Sequence, residues 1–368
     1  CRCEDGAYKM IPLFKVFMAD DVDEFVMPVL KSGYIGEGEK VAEFEKAVGD
    51  FIGNPNVLAV SNGTMAIQIA LRLASVGEGD LVATTPMTCL ATNEPILALG
   101  ATPVWVDIDP VTGCICPKSL NGVLYTRAAN VVKAVLCMHW GGTPCDMDGI
   151  YETASKHFIP VVEDACQALG SVYDNTLSNY VCFSFQAIKC LTTGDGGAIA
   201  FRYKEDLERA RLMKWFGLDR SKGATMRCSQ DPSEYGYKAQ MNDISASIGL
   251  ANIRHTEALL EKTIYNATRY NTAFGVSRKY GVVSSSWLYT IHVDDSSGFI
   301  SYMKDNGVEC SKVHTRNDTK TIFKCSPKVD LPGVEQFDRT HVCIPCGWWV
   351  SDEDVTKVIK LVKEYKER

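Results

Sequence analysis

A lysine in apolar surroundings is the residue of this chain that most strongly suggests chemistry. Lys189 follows the aromatic run CFSF at 182–185 and precedes the Thr/Gly-rich run TTGDGG at 192–197. Because burial disfavours the charged ammonium, such surroundings lower the pKa of a lysine and favour the neutral amine that acts as a nucleophile. Most lysines are solvated surface groups, so this setting predicts a reactive amine.

A strand-turn-helix pattern at 57–71 predicts a site for an anion. The apolar run VLAV at 57–60 leads into the turn SNGT at 61–64 and then into a helical pattern. Backbone N–H groups and the positive end of the helix dipole attract a phosphate at such a turn, where Gly63 permits close approach and the Thr64 hydroxyl adds a donor. An ordinary helix cap explains the same residues equally well when the turn is taken alone.

An acid stands at the end of a third apolar strand pattern. Asp164 closes the run VVED at 161–164, and Gln167 follows three residues later. A carboxylate there can pair with a protonated ring nitrogen, and the amide can donate to a ring oxygen. Strand-end acids also cap helices or bind metals, so this motif alone does not decide the role.

Alternating strand and helix patterns between 56 and 201 place these three groups together. Such alternation predicts crossover connections and a mostly parallel sheet buried on both faces, with ligands at the carboxyl ends of its strands. The strand patterns are 57–60, 81–84, 103–106, 131–136 and 159–162.

The chain changes character after a long helical pattern at about 242–274. A strand pattern at 287–293 and helical patterns at 299–306 and 355–365 predict a smaller α+β unit at the C-terminus. We interpret Met10 as the natural start of the ordered chain and leave residues 1–9 out of the predicted fold.

Charge and cysteine usage exclude several classes of partner. With 38 Lys+Arg against 45 Asp+Glu the net charge is −7, and no basic block suggests nucleic acid or an anionic membrane as partner. We expect a cytoplasmic protein, since neither a bilayer-spanning apolar run nor a signal-like N-terminus is visible. The 15 cysteines lie mostly in apolar segments, and Cys343 and Cys346 have no second pair, so we expect reduced thiols and no metal.

Six ordered motifs, from about Ile11 to the C-terminus, resemble the sugar aminotransferases of the DegT/DnrJ/EryC1/StrS family. The resemblance implies an α/β fold of the fold-type I class of enzymes dependent on pyridoxal 5'-phosphate (PLP). It implies a large domain with a mostly parallel sheet sandwiched by helices and a smaller C-terminal α+β domain. The motifs are GYIG at 33–36 with FE at 44–45, SNGT at 61–64, GATP at 100–103 with VDID at 106–109, HWGG at 139–142, ED at 163–164 with QA at 167–168, and SF at 184–185 with Lys189 and GDGG at 194–197.

The same resemblance implies a division of the chain and a role for each motif residue. The expected parts are an N-terminal extension and arm (1–30), a large PLP-binding domain (31–254) and a small domain (255–368). Lys189 is expected to join the cofactor as a Schiff base and then to shuttle a proton, and Asp164 to keep the ring nitrogen protonated. Gln167 is expected near the ring hydroxyl, and the expected phosphate set is Gly63, Thr64 and Ser184.

A homodimer with shared active sites is a further implication. In the family an Asn of the neighbouring subunit touches the phosphate, and the matching stretch here holds Gln240 and Asn242. Either residue is a candidate. Capping of the long helix explains Asn242 equally well.

The chain departs from the family pattern at two places. Cys89 occupies the position where most relatives stack an aromatic side chain on the cofactor ring. Near the C-terminus, His314 and Arg316 replace a segment that lines the sugar pocket in relatives, and both are candidates for contacting the sugar or its diphosphate. Surface placement is the alternative for these two charged loop residues.

The expected reaction moves an amino group from an amino acid, with L-glutamate the first candidate, to a nucleotide-linked 4-keto-6-deoxy sugar. Its product would serve surface-polysaccharide synthesis, such as lipopolysaccharide O-antigen, or amino-sugar synthesis. A related sugar dehydratase is disfavoured because Lys189 is retained. An aminotransferase of the same family for a cyclitol or another keto substrate and a non-catalytic PLP-binding regulator remain alternatives, although no DNA-binding segment is visible for the latter.

Overall fold

A seven-stranded sheet organises the first two thirds of the chain. The computed structural model describes residues 10–126, 131–173, 178–222, 229–276 and 282–368. Strands β2 to β6 run parallel, whereas β7 is antiparallel to both of its neighbours, which confirms the mostly parallel sheet. In the order β1-β7-β6-β5-β4-β2-β3, the strands are β1 (Val57–Val60), β2 (Leu81–Thr84), β3 (Thr102–Trp105), β4 (Val132–Met138), β5 (Val161–Asp164), β6 (Tyr180–Ser184) and β7 (Gly197–Phe201).

Apolar side chains cover both faces of this sheet. Successive strand residues point to opposite faces, so Val135 of β4 packs into one apolar cluster and Leu136 into another. Strand β5 begins two residues later than the sequence pattern predicts, after Pro160. A proline cannot donate to a strand ladder, and the carbonyl of Pro160 accepts from the Val135 amide instead.

Helices flank the sheet, as the fold class requires. The helix α3 begins directly after β1 and packs against β5, β6 and β7. The helices of this part are α1 (Val22–Ser32), α2 (Glu39–Ile52), α3 (Gly63–Leu73), α4 (Leu90–Ala98), α5 (Pro117–Thr126), α6 (Met147–Ser155) and α7 (Lys204–Met213), with a short 3-10 helix at Trp140–Gly142.

The C-terminal part is built on a long helix and a two-stranded sheet. The predicted helix at 242–274 is confirmed as α8 (Asp243–Phe274), and β8 (Tyr289–His292) pairs antiparallel with β9 (His341–Ile344). The remaining elements are α9 (Ser296–Asp305), a 3-10 helix at Thr321–Phe323, α10 (Pro332–Thr340) and α11 (Asp352–Lys366). Because α8 runs unbroken through residues 254 and 255, the division into domains stays a prediction.

No helix among the described residues has both the length and the apolar character that crossing a bilayer demands.

Candidate active site

Lys189 lies on the loop that joins β6 to β7. Backbone hydrogen bonds of 2.8 Å from the Phe185 amide to Gly196 and of 2.9 Å from the Thr193 amide to Phe185 close this loop at its base. The Lys189 Nζ lies 3.7 Å from the centroid of the Trp287 ring. Burial lowers the pKa of Lys189, with Cys166 and Asp164 acting in the opposite direction, which confirms the expected direction and favours the neutral amine.

Asp164 ends β5, the neighbouring strand of the sheet, and its side chain is buried. Its Oδ1 accepts a 3.0 Å hydrogen bond from the Cys166 amide, and its Oδ2 accepts one of 2.6 Å from the Thr92 hydroxyl. The hydroxyls of Thr88 and Thr92 lie 2.6 Å apart. These donors hold the carboxylate in one orientation, and its charge reaches Lys189.

The turn before α3 forms a close-fitting cradle. The Asn62 side chain accepts from the Met65 amide at 2.9 Å and the Asn62 carbonyl from Ala66 at 3.1 Å, so the ordinary cap is present. The amides of Gly63 and Thr64 come first at this helix start, where an anion is favoured. A Cβ on Gly63 would lie 2.8 Å from Cys166 Sγ and 2.9 Å from Ser184 Cβ. Only a glycine at 63 therefore lets the turn pack this closely against Cys166 and Ser184.

Gln167 connects the sheet end to the C-terminal loop. Its Oε1 accepts from the Gly141 amide at 2.8 Å, and its Nε2 lies 2.9 Å from His314 Nε2. Since the amide nitrogen donates, the ring nitrogen of His314 accepts and carries no proton. Burial, and then the charge of Lys189, lower the pKa of His314 to about 4. His314 therefore lies in the site as a neutral imidazole.

Arg316 follows His314 by two residues, and its guanidinium is already paired with a carboxylate. Its Nε and Nη2 bind the carboxylate of Asp318 at 3.1 and 2.7 Å. The backbone of Arg316 bridges to Met87, and the Asn317 amide donates to Pro86 at 2.9 Å. This loop is thereby fixed to the turn before α4.

Two thiols flank the groups described above. Cys89 is the N-cap position of α4, one turn before Thr92, and burial raises its pKa. Cys166 follows Asp164 by two residues and touches the Gly63 cradle, and burial raises its pKa as well. The charges of both Asp164 and Lys189 reach each of these thiols.

A buried network that the sequence did not reveal supports the end of β5. His139 Nδ1 accepts from the Cys145 amide at 3.1 Å, so the other ring nitrogen donates to Glu163 Oε2 at 2.7 Å. The Tyr173 hydroxyl donates to the same oxygen at 2.6 Å. His139 was visible as part of the HWGG motif, but its partner could not be read from spacing.

Gln240 and Asn242 lie on the segment that runs from beside β1 of their own chain into α8. The Gln240 backbone bridges to Val60, and its side-chain Oε1 is buried without a hydrogen-bond partner among the described residues. Asn242 accepts from the Ser245 amide at 2.9 Å and caps α8, which confirms the capping alternative. The cap uses its side-chain oxygen, and the NH2 group keeps its donor capacity.

Comparison with known proteins identifies the family of the chain. A model described as the DegT/DnrJ/EryC1/StrS aminotransferase family matches residues 18–363. The chain belongs to this family. It is therefore a PLP-dependent aminotransferase of the sugar aminotransferase family.

Individual relatives of this aminotransferase cover nearly all of it. Spore coat polysaccharide biosynthesis protein SpsC from Bacillus subtilis is 32% identical over 369 residues, with 92% of each chain covered. Sugar aminotransferase CalS13 from Micromonospora echinospora is 34% identical, with 96% of this chain and 100% of that chain covered and a TM-score of 0.91. The PMP-form of putative sugar aminotransferase Spr1654 from Streptococcus pneumoniae is 25% identical, with 97% and 99% covered and a TM-score of 0.88.

The residues of this aminotransferase fit PLP. The cofactor carries an aldehyde, a ring nitrogen and a phosphate, and the sheet end presents one group suited to each. They are the Lys189 amine with its lowered pKa, the buried Asp164 carboxylate, and the cradle at Gly63 that a Cβ would fill.

Proposed function

We propose that the chain transfers an amino group from an amino acid, with L-glutamate the first to test, to a nucleotide-linked 4-keto-6-deoxy sugar. The observation that carries the proposal is the meeting of Lys189, Asp164 and the Gly63 cradle at the carboxyl end of one sheet. The similarity to SpsC, a spore coat polysaccharide biosynthesis protein, and to the sugar aminotransferase CalS13 supports a sugar acceptor and a polysaccharide or amino-sugar product. Lipopolysaccharide O-antigen is one such product.

Each residue has one task in this reaction. PLP, when bound, supplies an aldehyde that reacts with amines and a ring that withdraws electrons from the carbon losing its proton. Lys189 takes up that proton at its Nζ and returns it, because its lowered pKa leaves the amine neutral before the step. Asp164 would accept a hydrogen bond from a ring N–H, while Thr92 and the Cys166 amide hold its carboxylate in place.

The remaining groups bind and orient. Gly63, Thr64 and Ser184 would hold the phosphate, and Gln167 would contact the ring oxygen. Cys89 and Cys166, whose thiols both feel the charges of Asp164 and Lys189, would cover the two ring faces in place of an aromatic side chain. The proposed substrate contacts are His314 and Arg316. His314 is a neutral imidazole, and Arg316 would have to exchange its ion pair with Asp318 for one with the diphosphate.

A homodimer with shared sites is part of the proposal. Tyr34 and Ile35 of the GYIG motif are 85% and 48% exposed, and exposed apolar side chains of this size mark a surface for association. Gln240 and Asn242, each of which carries a side-chain NH2 group that can donate, remain the two candidates for reaching the other subunit's phosphate. The free thiols of the described cysteines fit a cytoplasmic, reducing compartment.

One experiment tests the substrate class. Purified protein with PLP and L-glutamate is incubated with dTDP-, UDP- and GDP-linked 4-keto-6-deoxy sugars and with a cyclitol ketone, and products are identified by mass. Amination of a nucleotide sugar, with parallel lines in double-reciprocal plots, is expected because both amine transfers use the same site. Amination of the cyclitol ketone with every nucleotide sugar unchanged would overturn the proposal.

A further inference from the structure

Trp287 is held in place from two directions. Its Nε1–H donates a 3.0 Å hydrogen bond to the Ile188 carbonyl, which belongs to the residue before Lys189. The ring of Phe14 stacks on it at 5.2 Å with an interplanar angle of 30°. The indole is therefore fixed relative to the backbone that carries the lysine.

The Lys189 Nζ lies 3.7 Å from the centroid of this indole. The face of an indole attracts a cation, and the attraction is stronger where water is excluded. Burial acts against the charged form of the same amine. The ring thus offers the ammonium a stabilising contact within a site that otherwise favours the neutral amine.

Other groups around Lys189 also bear on its charge. The Asp164 carboxylate at the end of β5 and the thiols of Cys166, Cys89 and Cys190 favour the ammonium. Across the site His314 is neutral. Lys15 lines the same small cavity as Lys189 and lies 5.0 Å from the ring of Trp348. These groups are the same in every variant at 287. Each replacement also removes the hydrogen bond to Ile188, so Trp287→Phe, which loses that bond but keeps a ring face, separates the two effects.

We propose that Trp287 is a positioning residue that holds the Lys189 ammonium on its indole face while that amine is not bonded to the cofactor. The proposal rests on the proposed role of Lys189 as the proton-carrying amine. In each half of the reaction Lys189 is released, takes up one proton to become an ammonium, and later gives that proton back. An ammonium resting on a fixed ring stays close to the point where the proton is needed, instead of turning toward water.

The protein loaded with pyridoxamine phosphate tests this, because Lys189 is free in that form. Competitive labelling with acetic anhydride over a range of pH, with mass analysis of the Lys189 peptide, reports the pH at which the amine becomes neutral. In Trp287→Met and Trp287→Leu the midpoint should fall by about 0.4 to 1.5 pH units, since the cation loses its aromatic contact. Trp287→Phe, which keeps a ring face, should shift less.

Tyr265→Leu is the matched control. Lys262 lies 4.9 Å from the Tyr265 ring on α8, and neither residue lines the cavity that contains Lys189. This variant therefore removes a cation–π contact outside that cavity and should leave the Lys189 midpoint unchanged. Variants are compared after thermal unfolding confirms a cooperative transition. If neither ringless variant folds, Trp287→Phe alone tests the inference, because its Lys189 midpoint should still fall, although by less.

An unchanged or raised Lys189 midpoint in the folded variants at 287 would overturn the inference. The proposed function fails separately: if borohydride attaches PLP to a residue other than Lys189, the role of the lysine is wrong whatever the midpoints are. Transfer of the amine from glutamate to the cofactor should also slow in the ringless variants at high pH, where the amine is neutral in every protein, because the ammonium that forms in the step has lost its ring face. The rate should recover in Trp287→Phe.

Discussion

The hydroxyl of Thr92 donates a hydrogen bond of 2.6 Å to Oδ2 of Asp164, and both side chains are buried. The donor comes from the first turn of α4 and the acceptor from the end of β5, 72 positions later. Hydrogen bonds to charged groups contribute about 1.5–3 kcal/mol net. This contact therefore fixes the orientation of the carboxylate proposed to face the ring nitrogen.

Asp164→Asn should keep the shape of the site and remove its charge. We expect glutamate-dependent conversion of the cofactor, followed by single-turnover absorbance, to slow by about 100- to 1000-fold, the usual loss when one preorganised electrostatic contact is removed. Thr92→Val should slow it less, and Thr92→Ser should restore most of the rate. A rate for Asp164→Asn within tenfold of wild type contradicts the assigned role.

Gly63→Ala should weaken cofactor binding. The added Cβ would lie 2.8 Å from Cys166 Sγ and 2.9 Å from Ser184 Cβ, so the cradle must open. We expect the Kd for PLP, measured by fluorescence titration, to rise at least about tenfold, equivalent to about 1.4 kcal/mol. Gly122→Ala, in α5 with no atom within 4 Å of the new Cβ, is the control and should bind PLP normally. Equal affinity in the two variants would rule out the cradle.

Sequence patterns located the parts of the site that stand at strand ends. Lys189, Asp164 and Gly63 each follow an apolar run, and parallel strands bring their carboxyl ends to one edge. The same patterns misplaced β5 by two residues, because an apolar run does not show where Pro160 stops the ladder. Element order was readable, whereas element ends depended on local hydrogen bonding.

Contacts made by packing across the chain were not readable. Thr92 reaches Asp164 over 72 positions and Trp287 reaches Ile188 over 99. A threonine four residues after Thr88, just past a strand, was a weak signal for a buried hydroxyl pair. For Trp287 the sequence held no comparable signal, since a tryptophan that opens a strand pattern is most often part of the core.

Cofactor should protect two thiols from alkylation. If Cys89 and Cys166 cover the ring faces, N-ethylmaleimide should label them slowly in cofactor-free protein, because burial raises the pKa of each thiol, and more slowly still with PLP bound. The exposed Cys325 serves as internal control and should react equally in both forms. Mass analysis of the peptides measures the extent of labelling at each cysteine. Labelling of Cys89 at one rate in both forms contradicts its placement on the ring.

His314 should make the folded protein sensitive to acid. Its folded pKa is about 4 against 6.5 for an ordinary histidine, so between these values the unfolded chain binds more protons. The contribution of His314 to stability is complete above pH 6.5 and is lost as the pH falls toward 4. His314→Gln keeps an acceptor for Gln167 and removes the titration, so its Tm should fall less than that of wild type between pH 7 and 5. A parallel fall in both proteins would contradict a buried neutral imidazole.

The covalent attachment of PLP to Lys189 tests the central claim most directly. Protein loaded with PLP is reduced with borohydride, digested, and searched by mass for the pyridoxyl group, with Lys189→Ala treated in parallel. We expect the group on the Lys189 peptide and not on that of Lys214, a buried lysine paired with Glu37 at 2.6 Å. Lys189→Ala should carry no such group and show no visible absorbance. A pyridoxyl group on another lysine, or an unmodified Lys189 in PLP-loaded protein, would contradict the account.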